Sequence, residues 1–307
     1  MTTPTLFDRY KAGYTANWDR LAIRPPRAAE AKWDAEKLLD GKPRYLACAD
    51  LCGTIPWWFF GLTHYRESTF NFDTYLGNGQ SLHRRTTIVP AGRGPFYEPH
   101  AFEKGAYDAM KIMGFVGATD WSIARASFRL EGFNGFGYHR YGVNSPYLYG
   151  GSTLYGPPEA RGGKFVADHD FDGHYVDTQL GVLVLLKALM ALDTSIVIPG
   201  AAPAVAVPEP DDHLHHGILW VQQTLNAVER PTPLLAEDGR LGKKTMNAVR
   251  AFQADHGLPV TGLPDDATVA ALEQAATRSP SALGPRQSLA REIVDLMQHL
   301  FHFKEHA

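Results

Sequence analysis

The sequence predicts a mainly α-helical protein: an α+β domain with a small β-hairpin, followed by a three-helix bundle. Three observations carry this. Apolar residues recur at helical spacing through most of the chain. One stretch, 70–89, has two β-prone runs about a Gly-Asn-Gly turn. A segment with four prolines, 196–211, separates a long first part from a shorter second one.

In chain order, 28–40 and 44–53 show helical spacing of Ala, Leu and Trp, interrupted at Gly41-Lys42-Pro43. Thr54-Ile55-Pro56 looks like a new helix start, with Thr54 as the cap and proline in the first turn. That helix, 57–68, is apolar at its beginning and polar at its end. The hairpin strands are expected at 70–76 and 83–89, and helices at about 100–114, 119–131 and 174–192. Beyond the proline-rich stretch, helices are expected at 216–228, 243–256 and 265–275, and a last amphipathic one at 287–303. The domains expected are 1–195, a linker at 196–212, the bundle at 213–277 and a tail at 278–307.

Composition excludes several classes. With 30 basic and 33 acidic residues the formal charge is −3, which gives no global electrostatic case for nucleic acid. The first 195 residues carry +1 and the remainder −4. The most apolar run, 180–186, ends at Lys187 and is far shorter than the ~20 residues of a membrane span. The N-terminus lacks the basic start and apolar core of a secretory signal, so synthesis in the cytoplasm is expected, and any work outside the membrane needs another way out. Cys48 and Cys52, four apart on a helix, suit two buried small hydrophobes better than a crosslink.

One carboxyl group attracts attention on physical grounds. Glu67 falls in the last turn of the 57–68 helix, where the negative end of the helix dipole and nearby aromatic side chains both disfavour its ionised form. A glutamate that keeps its proton near neutral pH suits a general acid, although a helix-end glutamate taken alone is more often a solvated one. Asp73 is the nearby acidic candidate for a second carboxylate; the alternative is a strand residue facing solvent. Five of the 13 tyrosines lie between 138 and 155 on Gly- and Pro-rich loops, a composition suited to stacking on sugar rings, or else to packing. DHDFDGHYVDTQ at 168–179 fits the first half of a calcium loop but has Gln179 where a bidentate carboxylate is needed, so a turn is the better reading. No metal and no cofactor is expected.

Residues 64–95, HYRESTFNFDTYLGNGQSLHRRTTIVPAGRGP, resemble phage-type peptidoglycan hydrolases of the lysozyme superfamily, as do EGFNGFGYHRYGVNSPYLYGGS at 131–152 and KFVAD at 164–168. The resemblance covers about 10–192. It implies a lysozyme-like domain that cleaves the N-acetylglucosamine–N-acetylmuramic acid strand, with Glu67 as general acid and Thr86 opposite it to hold the attacking water. Tyr138 and Tyr147 are then the preferred groove residues, with Asn134 and Ser145 behind them. The second part, with Asp238, Gly239, Gly242, Thr245, Val249, Phe252, Gln253 and Gly262 in register, resembles a peptidoglycan-binding domain. Peptidoglycan is therefore the expected partner, for a chain expected to be monomeric, as in an endolysin or a virion enzyme. Two other readings stand beside hydrolysis. A lytic transglycosylase also needs one acid, and a wall-binding or virion structural protein needs none.

Overall fold

The computed structural model describes residues 4–167, 170–202, 218–237, 239, 241 and 243–278. The chain divides into two compact units, Met1–Glu209 and Pro210–Ala307.

The first unit is built from helices packed on α2. Its α1 (Leu6–Arg20) was not anticipated, yet its start has a capping box. Thr5 Oγ1 accepts from the Asp8 amide at 3.2 Å and Asp8 Oδ2 accepts from the Thr5 amide at 2.9 Å. α2 (Ala28–Cys52) runs unbroken through Gly41 and Pro43, where two helices were expected. Leu38, Tyr45, Cys48 and Cys52 form one buried stripe across the proline, and burying that stripe outweighs the local helix-breaking tendency. α3 (Trp57–Ser68) begins after Pro56 rather than at Thr54, and no side chain caps it. It lies close against α2: a methyl group added at Gly61 would meet Leu38 Cδ2 at 2.3 Å. Residues 58–65 are all buried, so α3 is a central helix rather than a surface one.

The segment after α3 departs from expectation. Residues 70–76 and 83–89 are not strands; a single bridge joins Thr74 to Ser81 across the Gly77-Asn78-Gly79 turn. Two main-chain bonds flank that bridge, Tyr75 N to Gln80 O at 2.6 Å and Leu82 N to Asp73 O at 2.9 Å, and side chains hold the rest. Gln80 Oε1 accepts from the amides of Thr87 (2.7 Å) and Ile88 (3.2 Å), and Asn78 Nδ2 donates to Ile88 O at 3.1 Å. The polar residues that suggested a hairpin satisfy this backbone locally, which competes with sheet formation.

α4 (Ala101–Ile112) and α5 (Ile123–Asn134) follow, then one turn of helix, α6 (Pro146–Tyr149). The strands are instead β1 (Lys164–Ala167) and β2 (Asp170–Asp172), antiparallel, with Phe165 opposite Phe171. This pair occupies part of the calcium-loop-like sequence. Asp172 Oδ1 accepts from the His174 amide at 2.8 Å, as in an ordinary turn, while Asp168 lies outside the described residues. α7 (Val182–Leu192) starts eight residues later than expected, because 174–181 is held in a non-helical path. Leu180 N donates to the Tyr65 hydroxyl at 3.2 Å, and Asp177 N to the Tyr155 hydroxyl at 2.9 Å.

The expected linker also starts too early. Ile196 and Ile198 are buried in the core of the first unit, and Ile123 N donates to Pro199 O at 2.9 Å. Residues 196–201 therefore belong to the first domain, since two isoleucines bury more apolar surface there than an exposed strand of linker permits.

The second unit has α8 (Ile218–Val228), α9 (Lys243–Asp255) and α10 (Asp266–Arg278) around Val221, Leu225, Val249, Phe252 and Leu272. A repeat that sequence inspection missed appears in its polar core. Gln222 Oε1 accepts from Gly239 N at 2.8 Å while its Nε2 donates to Thr245 Oγ1 at 3.1 Å. Gln253 Oε1 accepts from Gly262 N at 2.8 Å while its Nε2 donates to Thr268 Oγ1 at 2.9 Å. In both, a buried glutamine ties a left-handed loop glycine to a threonine six residues beyond it. The 278–307 tail, with the helix expected at 287–303, lies outside the described residues apart from Arg278.

Ile198→Ala should destabilise the first unit by about 2–4 kcal/mol, and a chain ending at residue 195 should melt well below one ending at 202. Equal melting temperatures for the two truncations would return 196–201 to the linker. In the second unit, Gln253→Leu strands Gly262 N without an acceptor. It should lower that unit's stability by about 2–3 kcal/mol, read as loss of its unfolding transition in calorimetry.

Candidate active site

Glu67 lies in the last turn of α3, half-buried, and the geometry around it follows from how that helix ends. Thr69 and Phe70 both take left-handed conformations (φ 52° and 63°), unusual for residues other than glycine. Phe70 packs against Tyr65 with ring centres 5.3 Å apart, which helps to hold the strained turn. The chain then passes back across the helix end. Gly79 lies so close that an added methyl group would come 2.8 Å from Glu67 O, so the turn needs glycine there both for its positive φ and for space.

Tyr147, on α6, donates its hydroxyl to Glu67 Oε1 at 2.9 Å. Beside it, Arg66 is buried with its guanidinium 5.1 Å from the centre of the Tyr147 ring. Arg66 also donates to Asp177 Oδ2 (2.6 Å) and Leu180 O (3.1 Å), and Lys164 Nζ reaches the same Asp177 oxygen at 3.2 Å. Two cations facing Asp177 hold its pKa down at about 2 despite its burial.

Burial is the main cause that lifts Glu67 from the ordinary glutamate range to about 7. The Tyr147 hydrogen bond and the Arg66 charge both favour the carboxylate and oppose the rise, but burial outweighs them. One turn back, His64 is buried among Phe70, Phe72 and Phe102 with its Nδ1 2.8 Å from the Tyr45 hydroxyl, and burial pushes its pKa down to about 4. It is a neutral packing residue beside the acid. The site thus offers a carboxyl group able to give a proton near neutral pH.

The other residues anticipated for the site fare differently. Thr86 is buried, and its hydroxyl is engaged within its own loop, donating to Pro90 O at 2.6 Å and accepting from Arg93 N at 2.9 Å. Asp73 is exposed, and its carboxylate makes no hydrogen bond or ion pair among the described residues. Asn134 is exposed at the end of α5, beside the Tyr138 hydroxyl.

The expectation of a tyrosine-lined sugar platform needs correcting. Tyr138, Tyr147, Tyr149 and Tyr155 are all buried, and Tyr141 is half-buried and stacked on Phe171 at 3.9 Å. The Tyr138 ring is buried in a T-shaped contact with Phe165, so it has no free face to stack on a sugar. Ser145 is buried at the start of α6 and takes no part in the hydrogen bonding at Glu67. Tyrosines on glycine-rich loops had suggested exposed platforms; here the glycines let the loops fold tightly enough to bury the rings.

Sequence reasoning missed Arg66, Asp177 and Lys164, which are far apart in the chain and carry no spacing signal. It also passed over Ile88, Val89 and Tyr97, exposed by 55%, 88% and 66%, on the loop that follows the Gly79 turn. The hydrophobic pair inside TTIVP was the visible signal. No group of three or more His, Cys, Asp or Glu able to hold a metal ion occurs among the described residues. No helix among them is long and apolar enough to cross a membrane.

Residues 215–272 match the family model described as putative peptidoglycan binding domain, so the second unit carries a peptidoglycan-binding module. No curated protein and no solved structure matches the chain.

The Glu67 geometry makes a prediction about stability. A carboxyl group whose pKa is raised on folding penalises the folded state only once it ionises. The protonated form carries no penalty below its unfolded value near 4.5, and stability is lost as pH rises through about 7. Glu67→Gln, which is neutral at every pH, should therefore match the parent protein at pH 4. At pH 8 it should be the more stable by a few kcal/mol, on the order of 1.4 kcal/mol per pKa unit. Denaturant titrations at the two pH values test this, and a stability difference that does not change with pH would remove the raised pKa.

Proposed function

We propose that this chain is a modular peptidoglycan hydrolase of the muramidase type. The first unit cleaves the glycan strand, and the peptidoglycan-binding module keeps it on the wall. The observation that carries the reading is the half-buried Glu67, held by Tyr147 and with a pKa lifted to about 7.

In this reading Glu67 gives its proton to the oxygen of the bond between N-acetylmuramic acid and N-acetylglucosamine. The C1–O bond breaks, charge develops on the ring as an oxocarbenium-like centre, and water adds at C1. Tyr147 orients the carboxyl group, and after proton transfer its hydroxyl stabilises the carboxylate that remains. Asp73, six residues after Glu67 and exposed, makes no hydrogen bond with its carboxylate among the described residues, and it is the partner we assign for activating water. Asn134, exposed at the end of α5, and the apolar loop at Ile88, Val89 and Tyr97 offer surface for the strand.

A specific observation favours the second reading, lytic transglycosylation. Thr86, expected to hold the water, and the other two threonines of the loop, Thr74 and Thr87, are all engaged elsewhere. Thr74 Oγ1 donates to Asn71 O at 2.7 Å, Thr87 Oγ1 accepts from Gln80 Nε2 at 3.0 Å, and Thr86 is closed into its loop. A transglycosylase needs no such water, since the sugar's own hydroxyl attacks C1. Mass spectrometry of digested peptidoglycan separates the two. Hydrolysis leaves reducing ends that borohydride reduces, whereas products lighter by one water and resistant to borohydride belong to transglycosylation.

Glu67→Gln should abolish clearance of wall suspensions while leaving co-sedimentation with sacculi unchanged; undiminished clearance would refute the assignment. Tyr147→Phe removes a hydrogen bond that favours the carboxylate. The Glu67 pKa then rises further, and the alkaline limb of the pH–activity profile should move to higher pH. An unmoved limb would show that another group sets it.

A further inference from the structure

α6 faces two ways. Ser145 and Tyr149, four residues apart, share one side of that turn, and Tyr147, two residues from each, points to the opposite side, where Glu67 is. Ser145 and Tyr149 line a cavity of about 170 Å³ together with Tyr10, Tyr14, Glu131 and His139. The volume is several times the ~30 Å³ share of a single water.

The polar groups here are buried and incompletely paired. Glu131, 1% exposed, accepts at Oε2 from the Tyr14 hydroxyl and lies 3.1 Å from His139 Nε2, while His139 is stacked flat on Tyr10 at 3.7 Å. Its other oxygen, Oε1, makes no hydrogen bond among the described residues but is not fully shut off from solvent, unlike the next two groups. Ser145 Oγ is 2% exposed as a residue and has no partner. The Tyr149 hydroxyl, equally buried, lies near Asn17 without a well-formed hydrogen bond. Asn17 and Asn144 on the wall are bonded to one another instead (3.1 Å). A buried polar group left without a partner costs about 1–3 kcal/mol, and native proteins rarely leave several together.

We propose that this cavity is a second ligand site, distinct from the Glu67 site, that takes a neutral, hydroxyl-rich group the size of one sugar ring. Its free groups are a carboxylate oxygen and two hydroxyls. A pyranose matches that set: one hydroxyl donates to Glu131 Oε1, and its neighbours exchange hydrogen bonds with Ser145 Oγ and the Tyr149 hydroxyl. Charge separates this from an ammonium ligand, which the same acceptors would otherwise suit. Arg9 stands at the wall of the cavity and His139 Nε2 already lies 3.1 Å from Glu131 Oε2, so the carboxylate is partly engaged, and the two hydroxyls left over suit a neutral ligand better than a cation. The site does not require Glu67 to be a catalyst; it shares with that site only the α6 turn.

The test is thermal melting of the full chain during titration with the methyl glycoside of N-acetylglucosamine, with n-butylammonium chloride as the cationic probe. The sugar should raise the melting temperature saturably, with a dissociation constant on the order of millimolar, and the ammonium should not. Tyr149→Phe and Ser145→Ala each delete an unpartnered hydroxyl, so both should fold and melt no lower than the parent protein without sugar, and each should weaken the sugar response about tenfold. Glu67→Gln should keep the full response even where lysis is lost, which separates this proposal from the catalytic one. A response unchanged in Tyr149→Phe and Ser145→Ala would place the sugar elsewhere and overturn the proposal. No saturable response in the parent protein would mean that the cavity holds only water, and a response to the ammonium alone would make it a cation site.

Discussion

Arg66 is the residue on which the candidate site depends. A guanidinium cannot shed its charge, so burying it beside Glu67 demands a counter-charge and several acceptors. Asp177 supplies the first and Leu180 O another, and both sit in the non-helical segment that precedes α7. The same guanidinium lies over the Tyr147 ring, and Tyr147 holds Glu67. One buried cation therefore ties α3, α6 and 177–180 to a common point. It also explains why 174–181 is not helical: a helix there would remove the carbonyl and carboxylate that Arg66 requires. Buried ion pairs add little net stability, but removing one partner is severe, so such a pair specifies an arrangement more than it strengthens it.

The backbone around that point is arranged for closeness. An added methyl group at Gly181 would lie 2.3 Å from Leu148 O, and Gly181 N donates to Gly150 O at 2.7 Å. With Gly79 against Glu67 O, these contacts clamp α6 and the end of α3 through main chain rather than through flexible side chains. A carboxyl group in such a frame keeps its geometry while its charge changes, as an acid that gives and regains a proton must. The opposing effects on Glu67 have a chemical consequence as well. Burial alone would make it a reluctant acid, and Arg66 with Tyr147 alone would make it a permanent carboxylate. Their balance leaves it close to neutral pH.

The two units use different physics for different tasks. In the first, a large apolar core of helices supports one half-buried acid beside a strained turn. The second is a small bundle in which a glutamine–glycine–threonine bonding pattern occurs twice, supplementing a small apolar core around Val249 and Phe252. Under the proposed function, joining them by a proline-rich stretch raises the local concentration of the acid at an insoluble substrate without altering either site.

Much was legible in the sequence. The mainly helical class, the 57–68 helix, the place of Glu67 in its last turn and the three helices of the second unit all follow from local spacing, because helical periodicity and capping are properties of neighbouring residues. The burial of Cys48 and Cys52 followed in the same way. What needed tertiary structure was whatever depends on partners distant in the chain. Pro43 is accommodated within α2 by a stripe buried on other helices, and the supposed strands at 70–89 are tied by a few main-chain bonds together with Gln80 and Asn78. The tyrosines of 138–155 turn inward, and Thr86 closes its own loop. Ile196 and Ile198 leave the linker for the core. The raised pKa of Glu67 comes chiefly from burial, a property of the packed molecule. A sequence displays which groups are available, but only the fold decides which of them lose water, and desolvation sets both their charge and their chemistry.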